Sequence, residues 1–334
     1  MGLIVVAGLA GCADAPGNGN GAASGMAMPP PPRPERTAEE QERLRLERAT
    51  RARQANEAAR AALQTPASQN MSEYLAAVER TQISRGKLRT DDGTSLGPIT
   101  PEQLTENFVQ VALHNEYIRD GDRLVPMTHP APLRRWEMPV RMQIEYGTSV
   151  SPARRSRIGA DIRDYAARLQ HVTGHPISIT ASGGNFHVLI LSEDERRQSG
   201  QRLQTLLPGI PAQDVAALVN LAPQNFCTVF AYSRGNGSSY VQAIALIRSE
   251  LPARLMLSCI QEELAQGMGP ANDSHNARPS IFNDDEEFAF LTWHDEMLLK
   301  ILYDRRLRPG MMEAEARPIV LEIARELLAP AGAV

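Results

Sequence analysis

Residues 259–273 read CIQEELAQGMGPAND, and this stretch decides how the rest of the chain is interpreted. Read as a helix, it places Glu262 and Gln266 on one face, because residues four apart lie above one another on a helix. Gly269 and Pro270 are predicted to end the helix, since glycine favours the C-terminal cap and proline cannot continue a helix. The stretch therefore predicts a helix with an E-E-x-x-Q run, followed by a turn that carries A-N-D.

This spacing resembles the metal-binding helix of metzincin zinc peptidases, H-E-x-x-H-x-x-G-x-x-H, in which histidines bind zinc and the glutamate is the general base. Here the same frame reads E-E-x-x-Q-x-x-G-x-x-N. Glu262, Gln266 and Asn272 stand at the three ligand positions. Glu263 stands at the base position and Gly269 at the glycine. The resemblance implies an α+β, zincin-like fold with a mixed sheet and a degenerate metal motif.

Glutamine and asparagine are poor zinc ligands, because zinc prefers imidazole and thiolate, whereas neutral oxygens suit hard cations. We therefore expect no bound metal or cofactor, with zinc or calcium as the alternatives. Glu262, Gln266, Asn272 and Asp273 are expected to be hydrogen-bonded polar groups in a remodelled cleft. Glu263 is the candidate catalytic residue, since burial would raise its pKa and suit it to proton transfer. A buried glutamate that binds loop backbone is the alternative.

Other polar residues downstream of the motif are weaker candidates for the same cleft. His275 is a substitute ligand or, more simply, a histidine on a surface turn. His294 is expected in a structural polar network with Asp295 or with the Glu262 region. Residues 284–285, both aspartates, would complete an oxygen-rich cation site with Asp273 or remain solvated loop carboxylates.

The pattern around this helix predicts alternating strands and helices. The predicted strands are 140–146, 177–180, 185–191 and a hairpin of 226–233 with 240–248, and the predicted helices are 72–78, 101–115, 151–173, 193–206, 211–220, 252–268 and 313–328. Prolines at 126, 130 and 132 are predicted to interrupt regular structure. From residue 140 to 268 the order is that of a zincin N-terminal subdomain, in which the last helix carries the metal motif.

Three further segments extend the likeness: ARPSIFNDD at 277–285, LTWHDE at 291–296 and RLRPGM at 306–311. Together with the E-E-x-x-Q helix they resemble a bacterial family of unknown function that is grouped with the zincins and often carries a lipobox. Thr292 is expected to cap the helix that follows it, with Asp295 as the acidic partner of a capping box. We expect the metzincin-like domain to cover residues 70–330.

The N-terminus predicts an exported lipoprotein. Residues 1–11 form a short apolar run that fits a signal peptide and is too short to span a bilayer. The run ends in L-A-G before Cys12, which resembles the bacterial lipobox, although no Lys or Arg precedes it. Lipidation of Cys12 would anchor the chain, and Ala13 implies the outer membrane, with the protein facing the periplasm. An apolar tail on a soluble protein is the alternative.

Two segments separate this anchor from the domain. Residues 12–35 are rich in Gly, Ala and Pro and are predicted to be a linker. Residues 36–64 have high helix propensity and few large apolar residues, which predicts a charged, solvated helix. In an oxidising compartment Cys227 and Cys259 are expected to form a disulfide, with two buried thiols as the alternative.

The leading functional hypothesis is a non-catalytic cell-envelope protein that binds a peptide or a protein partner in the inherited cleft. A second is an atypical metal-dependent peptidase that uses Glu263 as general base. A third is an envelope scaffold with a vestigial cleft, in which the helix at 36–64 makes the contacts. An open cleft favours the first two hypotheses, and a filled cleft favours the third. The net charge of −4 predicts no nucleic-acid partner.

Overall fold

The computed structural model describes residues 38–62, 65–120, 123–283 and 285–329. The helices in these ranges are α1 (Ala38–Ala62), α2 (Pro66–Ser84), α3 (Pro101–Ala112), α4 (Pro152–Thr173), α5 (Glu193–Arg197), α6 (Gly200–Leu206), α7 (Ala212–Val219), α8 (Ala253–Gln266), α9 (Trp293–Tyr303) and α10 (Glu313–Leu328). The strands are β1 (His114–Asp120), β2 (Arg123–Pro130), β3 (Arg135–Trp136), β4 (Val140–Tyr146), β5 (Ile177–Thr180), β6 (Phe186–Leu191), β7 (Cys227–Ser233) and β8 (Ser239–Arg248).

The chain divides into two compact units, residues 1–47 and 48–334. Helix α1 begins in the first unit, where Leu46 is 57% exposed, as expected for a solvated helix. The predicted signal peptide, Cys12 and the linker lie outside the described residues. Within the described ranges, no helix has the length and apolar character needed to cross a membrane.

The second unit is built on a six-stranded mixed sheet; the sequence predicted a mixed sheet and five of these strands, but not the short β3. Strands β5, β4, β6 and β8 lie side by side and run parallel. Strand β7 forms an antiparallel hairpin with β8, and the short β3 pairs in parallel with the start of β8. The structure is therefore a mixed α/β fold with a mainly parallel sheet.

The sheet is covered on both faces, which explains why β6 is almost entirely apolar. Phe186, Val188 and Ile190 belong to the main core, with residues of α4 and α8. Leu189 points to the other face, because side chains alternate along a strand, and lies in a smaller core with Leu203 of α6. Parallel strands buried in this way hold the helix ends at fixed positions around the sheet.

Helix α4 forms as its pattern predicted. The Ser151 side chain accepts a hydrogen bond from the Arg154 amide at the N-terminus, and Gly174 ends the helix with a φ of 65°. The predicted apolar face is buried along its whole length: Ile158, Ile162, Tyr165, Ala166 and Leu169. The prediction of one helix at 193–206 needs refinement, because two short helices, α5 and α6, occupy this segment.

The region after α3 corrects the sequence prediction. Helix α3 ends at Ala112, and the chain then forms the two-stranded antiparallel sheet β1–β2 where we expected more helix and a proline-interrupted stretch. Pro126 and Pro130 lie within β2 and pair with Tyr117 and His114. A two-stranded sheet has two outer edges, so a proline can lie there without removing a hydrogen bond between the strands.

The predicted disulfide is confirmed: Cys227 of β7 is bonded to Cys259 of α8, with the two Cα atoms 5.9 Å apart. It ties the edge hairpin to the helix that carries the E-E-x-x-Q run. The predicted capping box is also confirmed, since the Thr292 side chain accepts from the Asp295 amide while the Asp295 carboxylate accepts from the Thr292 amide.

Candidate functional site

Helix α8 is fixed at both ends. At its N-terminus, the Glu79 carboxylate of α2 accepts hydrogen bonds from the amides of Arg254 and Leu255, at 3.0 and 2.9 Å. At its C-terminus, Trp136 Nε1 donates to the Gly267 carbonyl and the Tyr303 hydroxyl donates to the Met268 carbonyl, both at 2.8 Å. Backbone carbonyls that a helix leaves unpaired are thereby satisfied. These contacts at both ends hold α8, and with it the side chains of the E-E-x-x-Q run, in position.

Helix α8 ends three residues before Gly269, the residue that was predicted to end it. It stops at Gln266, and Gly267 forms the cap. A Cβ atom on Gly267 would lie 2.4 Å from the Phe186 ring, and one on Gly269 would lie 2.6 Å from the Arg134 carbonyl oxygen. Both glycines therefore allow the end of α8 to lie close to its neighbours.

A cavity of about 310 Å³ opens beside α8. It is lined by Glu116, Ser258, Glu262, Asp273, Ile281, Asn283, Glu286 and Phe288. Most of its walls are polar, and two of the five predicted cleft residues, Glu262 and Asp273, are among the lining residues.

Glu263, the candidate catalytic residue, is not one of the residues that line the cavity. Its side chain is 4% exposed, and its Oε2 atom has no hydrogen-bond partner in the part of the chain that the structure describes. Burial raises the pKa of Glu263 well above its ordinary value, and the charges of Asp273 and Glu116 raise it further. Because both of those residues line the cavity, the Glu263 carboxyl belongs to the same electrostatic site.

The charges of Asp273 and Glu116 also act on Glu262, which is half-buried. Burial is the largest cause that raises the pKa of Glu262 well above the usual range. The charges of neighbouring carboxylates raise it further, in decreasing order Glu263, Asp273, Glu286 and Glu116. Like charges at a desolvated site favour the protonated form, so these side chains titrate as an interacting group. The raised pKa values favour protonated carboxyls at this site over the range in which an ordinary glutamate is ionised.

The remaining predicted cleft residues have structural partners. Gln266 Nε2 donates to Asp273 Oδ1 at 2.9 Å and so orients one carboxylate of the cavity wall. Asn272 is 2% exposed and lies away from the cavity lining. Its Nδ2 donates to the Gln110 carbonyl at 2.8 Å, and its Oδ1 lies 3.5 Å from the Thr128 hydroxyl.

The far wall is held by the cap of α9. Asp295 is fully buried and accepts hydrogen bonds from the Ser280 hydroxyl at 2.5 Å and the Ile281 amide at 3.1 Å. Asn283 Nδ2 donates to the Ala277 carbonyl at 2.8 Å, which closes the loop on itself. These bonds place Ile281 and Asn283 against the cavity.

The two histidines that we considered lie outside the cavity lining. His275 is on the exposed turn. His294 is fully buried, with Nε2 3.1 Å from Asn107 Nδ2 and Nδ1 3.9 Å from Asp295 Oδ1, which is too far for a hydrogen bond. Residue 284 lies outside the described residues. Among described side chains, no group of three His, Cys, Asp or Glu is arranged to hold a metal ion.

Several wall residues were missed by sequence reasoning. Ser258 precedes Glu262 by four residues, so the helical face rule applied backwards along α8 would have found it. Glu116 lies on β1, the strand that was not predicted. Glu286 has a φ of 58°, a left-handed conformation uncommon for a residue other than glycine. No local pattern marks Glu116 or Glu286 as part of the site.

The fold and the site define a mixed α/β protein with an acidic cavity beside one helix of its core. The sequence model of the family described as "Protein of unknown function (DUF2927)" matches residues 101–322, and the chain belongs to that family. The match covers about two thirds of the chain and includes every residue that lines the cavity. A search of curated proteins finds no match.

Proposed function

We propose that this protein is a lipid-anchored protein of the bacterial cell envelope whose cleft binds a peptide or protein partner without cleaving it. The anchor would be Cys12, and the domain would face the periplasm from the outer membrane. The proposal is carried by one observation: an open cavity of about 310 Å³ with polar walls beside α8. This is the lower end of the usual size of ligand pockets. An open cavity also weighs against a vestigial cleft.

A relation to the zincins is part of this proposal. The order of elements supports it in part: the resemblance predicts a strand, a helix, further strands and then the motif-bearing helix, and the chain follows β4, α4, β5, β6, β7, β8 and α8 with the short helices α5, α6 and α7 inserted between β6 and β7. The position of the E-E-x-x-Q run on that last helix supports it as well.

The residues at the inherited ligand positions do not fit zinc. The side-chain amide of Gln266 is engaged by Asp273, and that of Asn272 by the Gln110 carbonyl. Neither supplies the imidazole or thiolate that zinc prefers. Glu262 lines the cavity, but the other two ligand positions place no imidazole or thiolate beside it. This donor chemistry favours binding over zinc-dependent hydrolysis.

One observation favours a hydrolase as the second candidate. Burial and neighbouring carboxylates raise the pKa of Glu263, and a carboxyl with a raised pKa is suited to general acid–base catalysis. Such a reaction would need Glu263 or Glu262 to reach a substrate held in the cavity. The two candidates differ in whether a bound peptide leaves the site intact.

The deciding experiment offers the purified protein a mixture of random decapeptides with blocked ends and analyses bound and free peptides by mass spectrometry. We expect intact peptides in the bound fraction. Ser258→Met, which puts a larger side chain into the cavity, should reduce binding at least about tenfold, equivalent to about 1.4 kcal/mol. Ala253→Met is the matched control, because residue 253 is exposed on the first turn of α8.

Three outcomes would overturn the proposal. Absence of any bound peptide contradicts a peptide-binding cleft. Fragments that accumulate with the natural protein but not with Glu263→Ala establish the hydrolase instead. Zinc at one equivalent per chain, measured by elemental analysis of protein purified without chelator, contradicts the donor argument.

A further inference from the structure

Residues 66–93 precede the part of the chain that the family model matches, and they contact two walls of the cavity. We call this segment, which consists of α2 and the loop that follows it, the N-terminal arm. Leu75 of α2 is fully buried in the main core. Glu79 of α2 caps the N-terminus of α8, the helix that carries the cavity residue Glu262. The arm is therefore fixed to the wall that α8 forms.

The loop of the arm pairs with the backbone of another wall. The Leu88 amide donates to the Glu286 carbonyl at 2.9 Å, and the next residues of the two segments are joined in the same way at 2.8 Å. The Ala289 amide donates back to the Arg89 carbonyl at 2.8 Å. These bonds form a short parallel bridge between Arg89 and Phe288, which we call the junction. Since Glu286 and Phe288 line the cavity, the arm holds this wall directly.

The side chain of Arg89 adds contacts to the same wall. Its guanidinium carbon lies 4.6 Å from the centre of the Phe288 ring, and its Nη1 atom lies 3.3 Å from Glu287 Oε1. Arg278 binds the same carboxylate and donates from Nη2 to Oε1 at 2.7 Å. Cation–π contacts and charge-assisted hydrogen bonds both stabilise one arrangement of the groups that form them. Arg89 is thus a positioning residue, because it holds Phe288 in the cavity wall.

The backbone of the junction has an unfavourable conformation on both sides. Among the described residues, the non-glycine residues with a positive φ are Leu88, at 54°, and Glu286, at 58°. These are the two residues that the 2.9 Å hydrogen bond joins. A left-handed backbone costs free energy in a residue with a Cβ atom, so the surrounding contacts must maintain it. When the junction separates, both residues can return to a favoured conformation, which lowers the free energy of opening.

The sheet is held more firmly than the junction. Strand β6 is paired with β4 on one side and β8 on the other, and nearly all of its residues are buried. The junction has three backbone hydrogen bonds in the described part of the chain, and the Arg89 side chain beside them is 27% exposed. Segments with few buried contacts open at a lower free energy than the core does. The junction can therefore open while the sheet stays folded.

We infer that the N-terminal arm is a clasp for the cavity: the wall at residues 286–289 is formed while the arm is seated on it and is lost when the junction opens. The inference rests on the proposed peptide-binding function. A ligand that needs the complete wall binds only the seated form and shifts the equilibrium toward it. By reciprocity, whatever moves the arm changes the affinity of the cavity. Because the arm lies in the sequence between the proposed anchor and the matched domain, the anchored side of the chain can control binding.

Hydrogen exchange, measured by mass spectrometry of short peptic fragments, tests the junction without a ligand. Arg89→Ala removes the side-chain contacts, so we expect exchange of the Leu88 and Ala289 amides to become at least about fivefold faster. Exchange in β6 should not change. Arg89→Lys keeps a cation at this position and should restore most of the protection. Arg80→Ala is the matched control, because it removes the same side chain from an exposed position on α2.

A second measurement tests the coupling of the arm to the cavity. The natural protein is mixed with a decapeptide captured from the random mixture, at ten times its Kd. If the peptide binds only the seated form, exchange of the Leu88 and Arg89 amides should slow about tenfold. Neither residue lines the cavity, so direct shielding by the peptide does not account for the change. Exchange in α10, which also has no residue in the lining, should stay the same.

The outcomes separate the clasp from the binding function. If the peptide binds and exchange at Leu88 and Arg89 does not slow, the clasp is overturned and the binding function stands. If Arg89→Ala leaves the junction unchanged, or speeds exchange in β6 equally, the clasp is overturned whether or not peptides bind. If no peptide binds but Arg89→Ala opens the junction alone, the binding function fails and the junction is supported as a separately opening clasp.

Discussion

Glu193 and Glu263 are buried to nearly the same extent, at 3% and 4% exposed, but they lie in opposite surroundings. Glu193 is held by arginines: Arg196 and Arg197 each donate to its Oε1 at 2.8 Å, and the fully buried Arg248 donates to its Oε2. Glu263 is surrounded by other carboxylates, and its Oε2 has no partner among the described residues.

The pKa values of the two side chains separate accordingly. Burial alone would raise the pKa of Glu193, but the hydrogen bonds from Arg196 and the charge of Arg248 outweigh it and hold the pKa below its ordinary value. At Glu263 burial and like charges act in the same direction, so the pKa is raised. Glu193 is the centre of an ion-pair cluster, whereas Glu263 lies among like charges, and its Oε2 has no hydrogen-bond partner in the described part of the chain.

The difference shows how a buried charge indicates function. A completed network of opposite charges stabilises the structure and leaves nothing for a ligand to add. An incomplete network of like charges lowers stability, and such arrangements persist at sites where a ligand or a proton completes them. Three changes would break or sharpen the comparison, beginning with the largest expected effect.

Removing the cation from the paired cluster should have the largest effect. Arg248→Met leaves Glu193 with a buried, partly uncompensated charge, and it also removes hydrogen bonds to the carbonyls of Leu221, Ala222 and Asn225. We expect a loss of about 3–5 kcal/mol in the free energy of unfolding at pH 7, measured by urea denaturation.

The matched control is Arg197→Met, because Arg197 binds the same carboxylate from a side chain that is 62% exposed. Solvent screens that pair, so we expect a loss below about 1 kcal/mol. Equal losses from the two variants would mean that burial does not distinguish these arginines, and the contrast with Glu263 would then lose its basis.

The disulfide links the two regions and gives the second prediction. Cys227 pairs across the hairpin with Ile247, next to Arg248, and Cys259 precedes Glu262 by three residues on α8. The bond closes a loop with a sequence separation of 32. Replacing both cysteines by serine should cost about 2–4 kcal/mol, measured by urea denaturation. Cys12→Ser, which leaves the bond intact, should change nothing, and a similar loss in that variant would contradict the assignment.

The predicted elements are those with strong local signals. The apolar face of α4, the limits of α10 at Glu313 and Leu328, the β7–β8 hairpin and the Thr292–Asp295 capping box all follow from spacing and end chemistry over a few residues. The order of strands and helices from 140 to 268 could be predicted for the same reason.

The site could be predicted only in part, because its walls come from distant segments. The spacing on α8 identified Glu262 and Glu263, but Glu116 arrives from an unpredicted strand and Glu286 from a loop with a left-handed backbone. The direction of Asn272 depends on the Gln110 carbonyl, 162 residues away along the chain. No pattern within one helix carries that information.

The smallest predicted effect has the opposite sign from the first. Because folding raises the pKa of Glu263, the native state binds more protons than the unfolded chain at a pH above the ordinary glutamate pKa of about 4.3. The native state is therefore destabilised as pH rises through that window. Glu263→Gln removes this penalty, so we expect a Tm increase of about 2–4 °C at pH 7, equivalent to about 1 kcal/mol.

The increase should shrink as pH is lowered and disappear below about pH 4, where both states carry a protonated carboxyl. Glu193→Gln is the mirror control: its carboxylate has a lowered pKa, so the same substitution should reduce Tm at pH 7. Differential scanning calorimetry of both variants between pH 4 and 8 gives the Tm values that test this pH dependence. If Glu263→Gln lowers Tm at pH 7, the Glu263 carboxyl is a satisfied structural group, and the contrast with Glu193 does not hold.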